Sequence, residues 1–229
     1  MSDKEPTQNQ PPQKDLDQQI EKEMAIIDQL LAKLKFFEET NPPNDNVDRA
    51  FACIDEVIDQ KQTEYRQKLI DNKVLVTYHG SLQFNDPRNL DLDLVFTAVD
   101  ESSLALVNNT IDKLEAECEQ IDNWPTLGNN QGHCDTNFNR FSIEQVEIDL
   151  KRMSIENKVI DPEYDFIDLY VGILLSSKVL FPEQEVLFEI FQQKAKSYLH
   201  QSTVLRKAIT ELLEDILKTR QERKRAKNS

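Results

Sequence analysis

The fold turns on VTYHGSLQFNDPRNLDLDLVF, residues 76–96. The β-branched run KVLVTY at 73–78 reads as one strand and LDLDLVFTA at 90–98 as a second. Gly80 and Ser81 mark the turn after the first strand. Asp91 and Asp93 alternate with Leu90, Leu92 and Leu94, where a buried strand least tolerates charge. Residues two apart on a strand share a face, about 7 Å apart along the chain. The two carboxylates are therefore neighbours and repel unless a cation lies between them, which points to a hard divalent ion of the Mg2+ type.

Helical periods flank this pair of strands. Leu16, Ile20, Met24, Ile27, Leu31 and Leu34 draw one apolar stripe that stops near the helix-breaking NPPND. A second helix is expected from about Val47 to Asp71, with Phe51, Ile54, Ile58, Tyr65 and Leu69 on its apolar side. The short link makes an antiparallel helical hairpin the natural arrangement, and a dimer through these N-terminal helices is the other use of such a stripe. A helix is expected over 101–122, with Leu104, Val107, Ile111, Leu114, Cys118 and Ile121 inward, then a loop over 123–135. FSIEQVEIDLKR at 141–152 alternates imperfectly and reads as a third strand. Beyond Pro162 the pattern predicts helices over about 164–180, 184–199 and 202–220.

This order defines an α+β chain: a small mixed β-sheet with an N-terminal helical hairpin and a C-terminal helical bundle. The segments are a disordered tail at 1–15, the hairpin at 16–72, the sheet-bearing core at 73–160, the C-terminal helical region at 161–220 and a basic tail at 221–229.

Composition narrows the functions open to it. With 229 residues the chain can bury a core without disulfides, and its three cysteines, Cys53, Cys118 and Cys134, form no CxxC pair, as expected for reduced thiols in a cytoplasmic protein. A net charge of −15 argues against a broad nucleic-acid surface. From Lys218 onward six basic residues stand against Glu222, leaving the tail at +5 and the rest of the chain at −20. Those cations suit the C-terminal end of a helix dipole. The N-terminus has no apolar signal segment. The longest apolar stretch, LYVGILLSSKVLF at 169–181, is too short and too polar for a membrane span and reads as a buried helix.

In the third strand, Glu147 and Asp149 form a second same-face pair, one of which an adjacent strand could bring beside Asp91 and Asp93. Three carboxylates can hold two metal ions about 4 Å apart, the arrangement used for in-line displacement at phosphorus. A glycine turn nearby can offer backbone N–H groups to a phosphate. Gly80-Ser81, nine further residues, and then Asp91-Leu92-Asp93-Leu94 resemble the signature of the DNA polymerase beta-like nucleotidyltransferase superfamily, in its small members. Ile148-Asp149-Leu150 resembles that family's third carboxylate, and the resemblance covers about residues 73–152.

The resemblance implies a sheet of the nucleotidyltransferase type and transfer of an NMP group from an NTP, with Mg2+ or Mn2+, to an acceptor hydroxyl. Asp91 and Asp93 would bind both metals, Asp149 would bind one and act as base, and Gly80 and Ser81 would hold the triphosphate. Lys178 would reach the triphosphate from the helix after the sheet. The acceptor is a small molecule, a protein side chain or an RNA end. Small members carry Arg-Gly shortly after the Gly-Ser and a Ser before the first Asp, where this chain has Phe84-Asn85 and Leu90. That departure motivates an alternative, a catalytically inactive module that binds nucleotide or protein as a regulator.

Other residues carry weaker chemistry. Lys151 shares a strand face with Asp149 in this reading, Trp124 is either a base-stacking ring or a loop anchor, and His79 precedes the glycine turn. Asp168 sits in a helical pattern, and His133-Cys134 has no second ligand pair at zinc spacing.

Overall fold

Residues 13–40, 49–54, 63–79, 92–121, 124–125, 131–132, 134–156 and 178–227 are described by the computed structural model. Gly80, Ser81, Asp91, His133 and Asp168 lie outside them, as do residues 1–12 and most of the helix expected over 164–180.

Both expected strands of the opening stretch form. β1 is Leu75–His79 and β2 is Leu92–Ala98, paired antiparallel from Leu75 opposite Thr97 to His79 opposite Asp93. The third strand lies earlier than the alternation suggested, at Thr136–Ser142, and pairs parallel with β2. It is β5, because Trp124–Pro125 (β3) and Gln131–Gly132 (β4) form a separate two-stranded ladder inside the expected loop. The three-stranded sheet runs β1-β2-β5. Parallel neighbours need a crossover, which helix Glu101–Cys118 (α3) supplies between β2 and β5. Asp100 caps it, its carboxylate accepting the Ser103 N–H at 2.7 Å.

Residues 143–152, expected within the third strand at 141–152, instead belong to helix α4, Ile143–Glu156. Ile143 and Val146 are buried and Leu150 half-buried, spacings of three and four that fit a helix better than a strand. Ser142-Ile-Glu-Gln145 also has the spacing of a capping box, and Ser142 Oγ accepts the Gln145 N–H at 3.1 Å.

β2 is covered on both sides. Leu92, Leu94, Phe96 and Ala98 face one layer with Val76 and Tyr78, built from Ala50 and Ile54 of the helical segment 49–54, Leu69 of α2 (Thr63–Asp71) and the α3 stripe. Val95 faces the other layer with Leu75 and Phe141. That layer comprises α1 (Gln13–Thr40), α4, α5 (Glu185–Gln201) and α6 (Thr203–Lys227).

The expected hairpin of the two N-terminal helices is therefore corrected. The buried side chains of α1, Met24, Ile27, Leu30 and Leu34, pack with α5 and α6, whereas Ala50, Ile54 and Leu69 lie in the opposite layer. The apolar stripe of α1 is used within the chain, where the C-terminal helices offer a larger apolar surface than the nine-residue α2.

A buried guanidinium joins α1 to α6. Arg206 is 2% exposed and donates from Nε to Glu23 at 2.5 Å, from Nη1 to the Leu199 carbonyl at 2.6 Å and from Nη2 to Thr203 Oγ1 at 2.9 Å. Fourteen residues further along both helices, Arg220 lies 5.8 Å from the centre of the Phe37 ring. Each contact joins residues 183 apart, so α1 and α6 run in the same direction. Their negative dipole ends coincide, and α1 has no basic residue in its last turn. The cations of α6 from Lys218 onward supply what that end lacks. The basic tail is helical to Lys227. No helix among the described residues is long and apolar enough to cross a membrane.

α2 ends in a Schellman turn, with Val74 N–H on the Leu69 carbonyl and Lys73 N–H on the Ile70 carbonyl, both at 2.9 Å. Lys73 occupies the left-handed position at φ 54°. We expect Lys73→Gly to stabilise the protein by about 0.5–1 kcal/mol in urea unfolding, because glycine takes that conformation without a Cβ clash.

The hydrogen bond from Arg206 holds the Glu23 carboxyl below the ordinary glutamate range, opposed by partial burial. A lowered folded-state pKa stabilises above the unfolded value and is lost as pH falls through the folded one. Stability should therefore drop as pH falls below about 4.5. In Glu23→Gln that part of the decline should be absent, as measured by denaturant midpoints across pH.

Candidate functional site

The antiparallel register places His79, the last residue of β1, opposite Asp93, the second residue of β2. Gly80 follows His79 directly in sequence, and Asp91 stands two residues before Asp93. The register thus brings His79 and Asp93 to one end of the β1–β2 hairpin, and Gly80, Ser81 and Asp91 lie outside the described residues. Strand alternation puts Asp93 on the Val95 side of the sheet, away from Leu92 and Leu94. It is half-buried, at the rim of a layer that closes over Val95.

Across the other edge of β2, Asp93 is in register with Asn137 of β5, and Val95 with Asn139. Directly paired residues of parallel strands project to the same side, so Asn137 is the side-chain neighbour that β5 presents to Asp93. Thr136 and Phe138 leave on the opposite face.

Asp149 is not on that strand. It lies on α4, and Gln145 Nε2 donates to both of its carboxylate oxygens at 3.0 Å. The expected same-face pairing with Glu147, and likewise with Lys151, is lost, because residues two apart on a helix point in different directions. Glu147 is instead a brace between helices. Its Oε1 accepts from Lys194 Nζ at 2.8 Å and from the Tyr198 hydroxyl at 2.9 Å, both on α5. Those bonds, the Lys194 one foremost, hold the Glu147 carboxyl below its usual range. Burial first, and then Glu147, push the Tyr198 phenol upward.

Lys178 was expected on a helix, yet residues 178–180 run extended along the outer edge of β1. Tyr78 N–H donates to the Lys178 carbonyl at 3.0 Å, Leu180 N–H donates to the Val76 carbonyl at 2.9 Å, and Val179 bridges Thr77. Backbone groups of an edge strand left open recruit such a partner. Lys178 thus reaches the same end of β1 as His79. Its side chain leaves on the Tyr78 face, with Nζ 5.9 Å from the centre of the Phe51 ring, which packs edge-on to Tyr78. Asp93 is on the other face.

Gln184 locks this edge. Its Nε2 donates to the Val74 carbonyl at 2.6 Å and its Oε1 accepts the Val76 N–H at 3.0 Å, so one buried side chain imitates a strand neighbour. In sequence it is one polar letter in FPEQ and gives no such signal.

Trp124 is 1% exposed and belongs to the core beside α3, as a loop anchor rather than a stacking platform. All three cysteines are free thiols. Burial pushes Cys118 up to about 12, which removes it from nucleophilic chemistry. Among the described residues no group of three or more His, Cys, Asp or Glu side chains could hold a metal ion. Comparison with protein-family models, with curated proteins and with solved structures returned no match.

Replacing Gln184 by Leu should strand the Val76 N–H and the Val74 carbonyl, costing about 1–3 kcal/mol. Amide hydrogen exchange at Val76 should accelerate, together with that at Tyr78, as the 178–184 segment loosens from β1.

Proposed function

We propose that the chain is a metal-dependent nucleotidyltransferase that moves an NMP group from an NTP to an acceptor hydroxyl. The observation that supports this best is the register of His79 with Asp93. In sequence Gly80-Ser81 follows His79 directly and Asp91 stands two residues before Asp93, and the reading would bring phosphate binding beside cation binding there. Oxygen donors of the Asp93 and Asn137 kind suit a hard cation. Asp91 and Asp93 would hold Mg2+ or Mn2+, which when bound offsets triphosphate charge and sharpens the acceptor oxygen as a nucleophile.

The resemblance assigns the work of the chain's own groups. Gly80, lacking a Cβ, would let backbone N–H groups approach a phosphate, and the Ser81 hydroxyl would donate to it. The resemblance would have Lys178 add positive charge at the triphosphate, although its side chain leaves on the Tyr78 face, opposite Asp93. In the transfer, the acceptor oxygen bonds to the α-phosphorus, the bond from that phosphorus to the β-bridging oxygen breaks, and pyrophosphate leaves. The hydroxyl proton passes to a base, the role the resemblance assigned to Asp149. The acidic chain would hold a small molecule, a protein side chain or an RNA end as acceptor in preference to a long nucleic acid.

A second reading is a nucleotide-binding module without transfer. It is favoured by the carboxamide of Asn137 beside Asp93, by the position of Asp149 on α4, and by Phe84-Asn85 and Leu90 in the loop sequence. Incubation with Mg2+ and each α-labelled NTP, scored on the protein itself, on RNA and on small-molecule extracts, separates the two. We expect labelled product, reduced at least about a hundredfold in Asp91→Asn/Asp93→Asn, the loss typical when charge stabilisation at phosphorus is removed. Magnesium-dependent NTP binding without product would establish the module instead. Equal NTP binding by the double variant would remove the site from the hairpin altogether.

A further inference from the structure

We propose that the paired C-terminal ends of α1 and α6 are a docking surface for a single strand of nucleic acid. The cations of α6 hold its phosphates, and one of its bases stacks on Phe36. The surface is separate from the transfer reaction proposed above and does not depend on it.

The Glu23–Arg206 hydrogen bond and the position of Arg220 over the Phe37 ring fix the alignment of the two parallel helices. At that alignment Phe36 is level with Thr219, and Thr40, where α1 ends, is level with Arg223. Helix α6 therefore continues through Lys224–Lys227 past the end of α1, by about 6 Å at 1.5 Å per residue. Six cations fall between Lys218 and Lys227 against Glu222, whereas Lys33 and Lys35 near the end of α1 are balanced by Glu38 and Glu39. Two helix ends together carry only about one negative charge. Complementing them accounts for a small part of a tail that carries +5.

Phe36 supplies the second component. It falls about 160° around the helix from the buried Leu34 and is 66% exposed. Lys33, one turn earlier on the same side, is exposed, as are Lys218 and Arg225 of α6. A bare aromatic ring among cations is the combination that holds bases and phosphates of a single strand without regard to sequence.

Charge and shape select this occupant. The rest of the chain carries −20 and repels any broad anionic surface. A flat bilayer resting on a tip that projects about 6 Å would stand within the screening length of about 8 Å from the acidic chain behind it. QERKRAK at 221–227 has Ala226 as its one apolar residue, so the tip offers no apolar face to lipid. A single strand is narrow enough to cross the tip alone.

The test follows binding of the full-length protein to a fluorescein-labelled oligouridylate of about ten nucleotides by anisotropy, across salt concentrations. Affinity should fall with salt on a log–log slope of about −2, as expected from about three phosphate contacts on a single strand. Lys218→Gln/Arg223→Gln/Lys224→Gln/Arg225→Gln, with helix content checked by circular dichroism, should weaken binding at least about tenfold. Phe36→Ala removes an exposed ring and no charge, and should weaken binding about tenfold with the salt slope unchanged. Lys14→Gln/Lys22→Gln/Lys68→Gln/Lys113→Gln removes the same charge from other exposed positions and should keep most of the affinity. Equal loss in that control, or wild-type affinity in Phe36→Ala, overturns the proposal. So does binding to vesicles of phosphatidylcholine and phosphatidylserine without binding to the oligonucleotide.

Discussion

The structure depends on burying β2 from both sides. A central strand with two covered faces must be apolar almost throughout, and Leu92–Ala98 meets this with Leu, Val, Phe and Ala beside a buried threonine. Every helix layer is then assigned by the parity of the β2 residues it covers. Even positions draw in α3, α2 and segment 49–54, while odd positions draw in α1, α4, α5 and α6. The one charged residue, Asp93, stands second in the strand, where the covering layer ends and water returns. A carboxylate deeper in β2 would carry an uncompensated desolvation cost, so the same burial that builds the core restricts the polar site to its rim.

Polar side chains hold this three-layer arrangement together where apolar packing cannot. Gln184 closes the hydrogen bonds of the β1 edge and keeps 178–180 alongside it. On the other side of β2, Arg140 of β5 pairs with Asp112 of α3 at 2.5 Å and fixes the crossover helix to the edge strand. Arg206 satisfies carbonyls at the α5–α6 corner while engaging Glu23, so one buried cation sets the position of α1. Such a group is stabilising only because nearly all of its donors are used, and removing its partner would leave charge in the core.

Much of this was legible locally. The β1–β2 strands, the α3 stripe and the long α1 follow from periods of two and 3.6 residues that depend on each segment alone. The failures have a common cause. The alternation of FSIEQVEIDLKR at 141–152 suggested a strand, but the Ser142 cap and the 143, 146, 150 spacing, also present in the letters, carry more weight once the chain has left the sheet. Lys178 sits in an apolar run that suits a helix, and only an unfilled strand edge draws it into extended conformation. Residues 136–140 carry no alternation that marks a strand, because the two buried phenylalanines of β5, Phe138 and Phe141, lie on opposite faces.

By itself the sequence determined the hairpin that carries the candidate site, since turn residues, β-branched runs and the Asp-x-Asp alternation all act within some twenty residues. It also determined which side of each long helix is apolar. Tertiary structure decided what those sides meet: that α1 joins α6 rather than the helix after NPPND, that Asp149 rides on a helix, and that an amide stands beside Asp93. Local periodicity states that a face must be buried, whereas its partner is chosen by competition among all apolar surfaces of the chain. Register across a parallel pair is set by a crossover of more than thirty residues, over which no local signal extends.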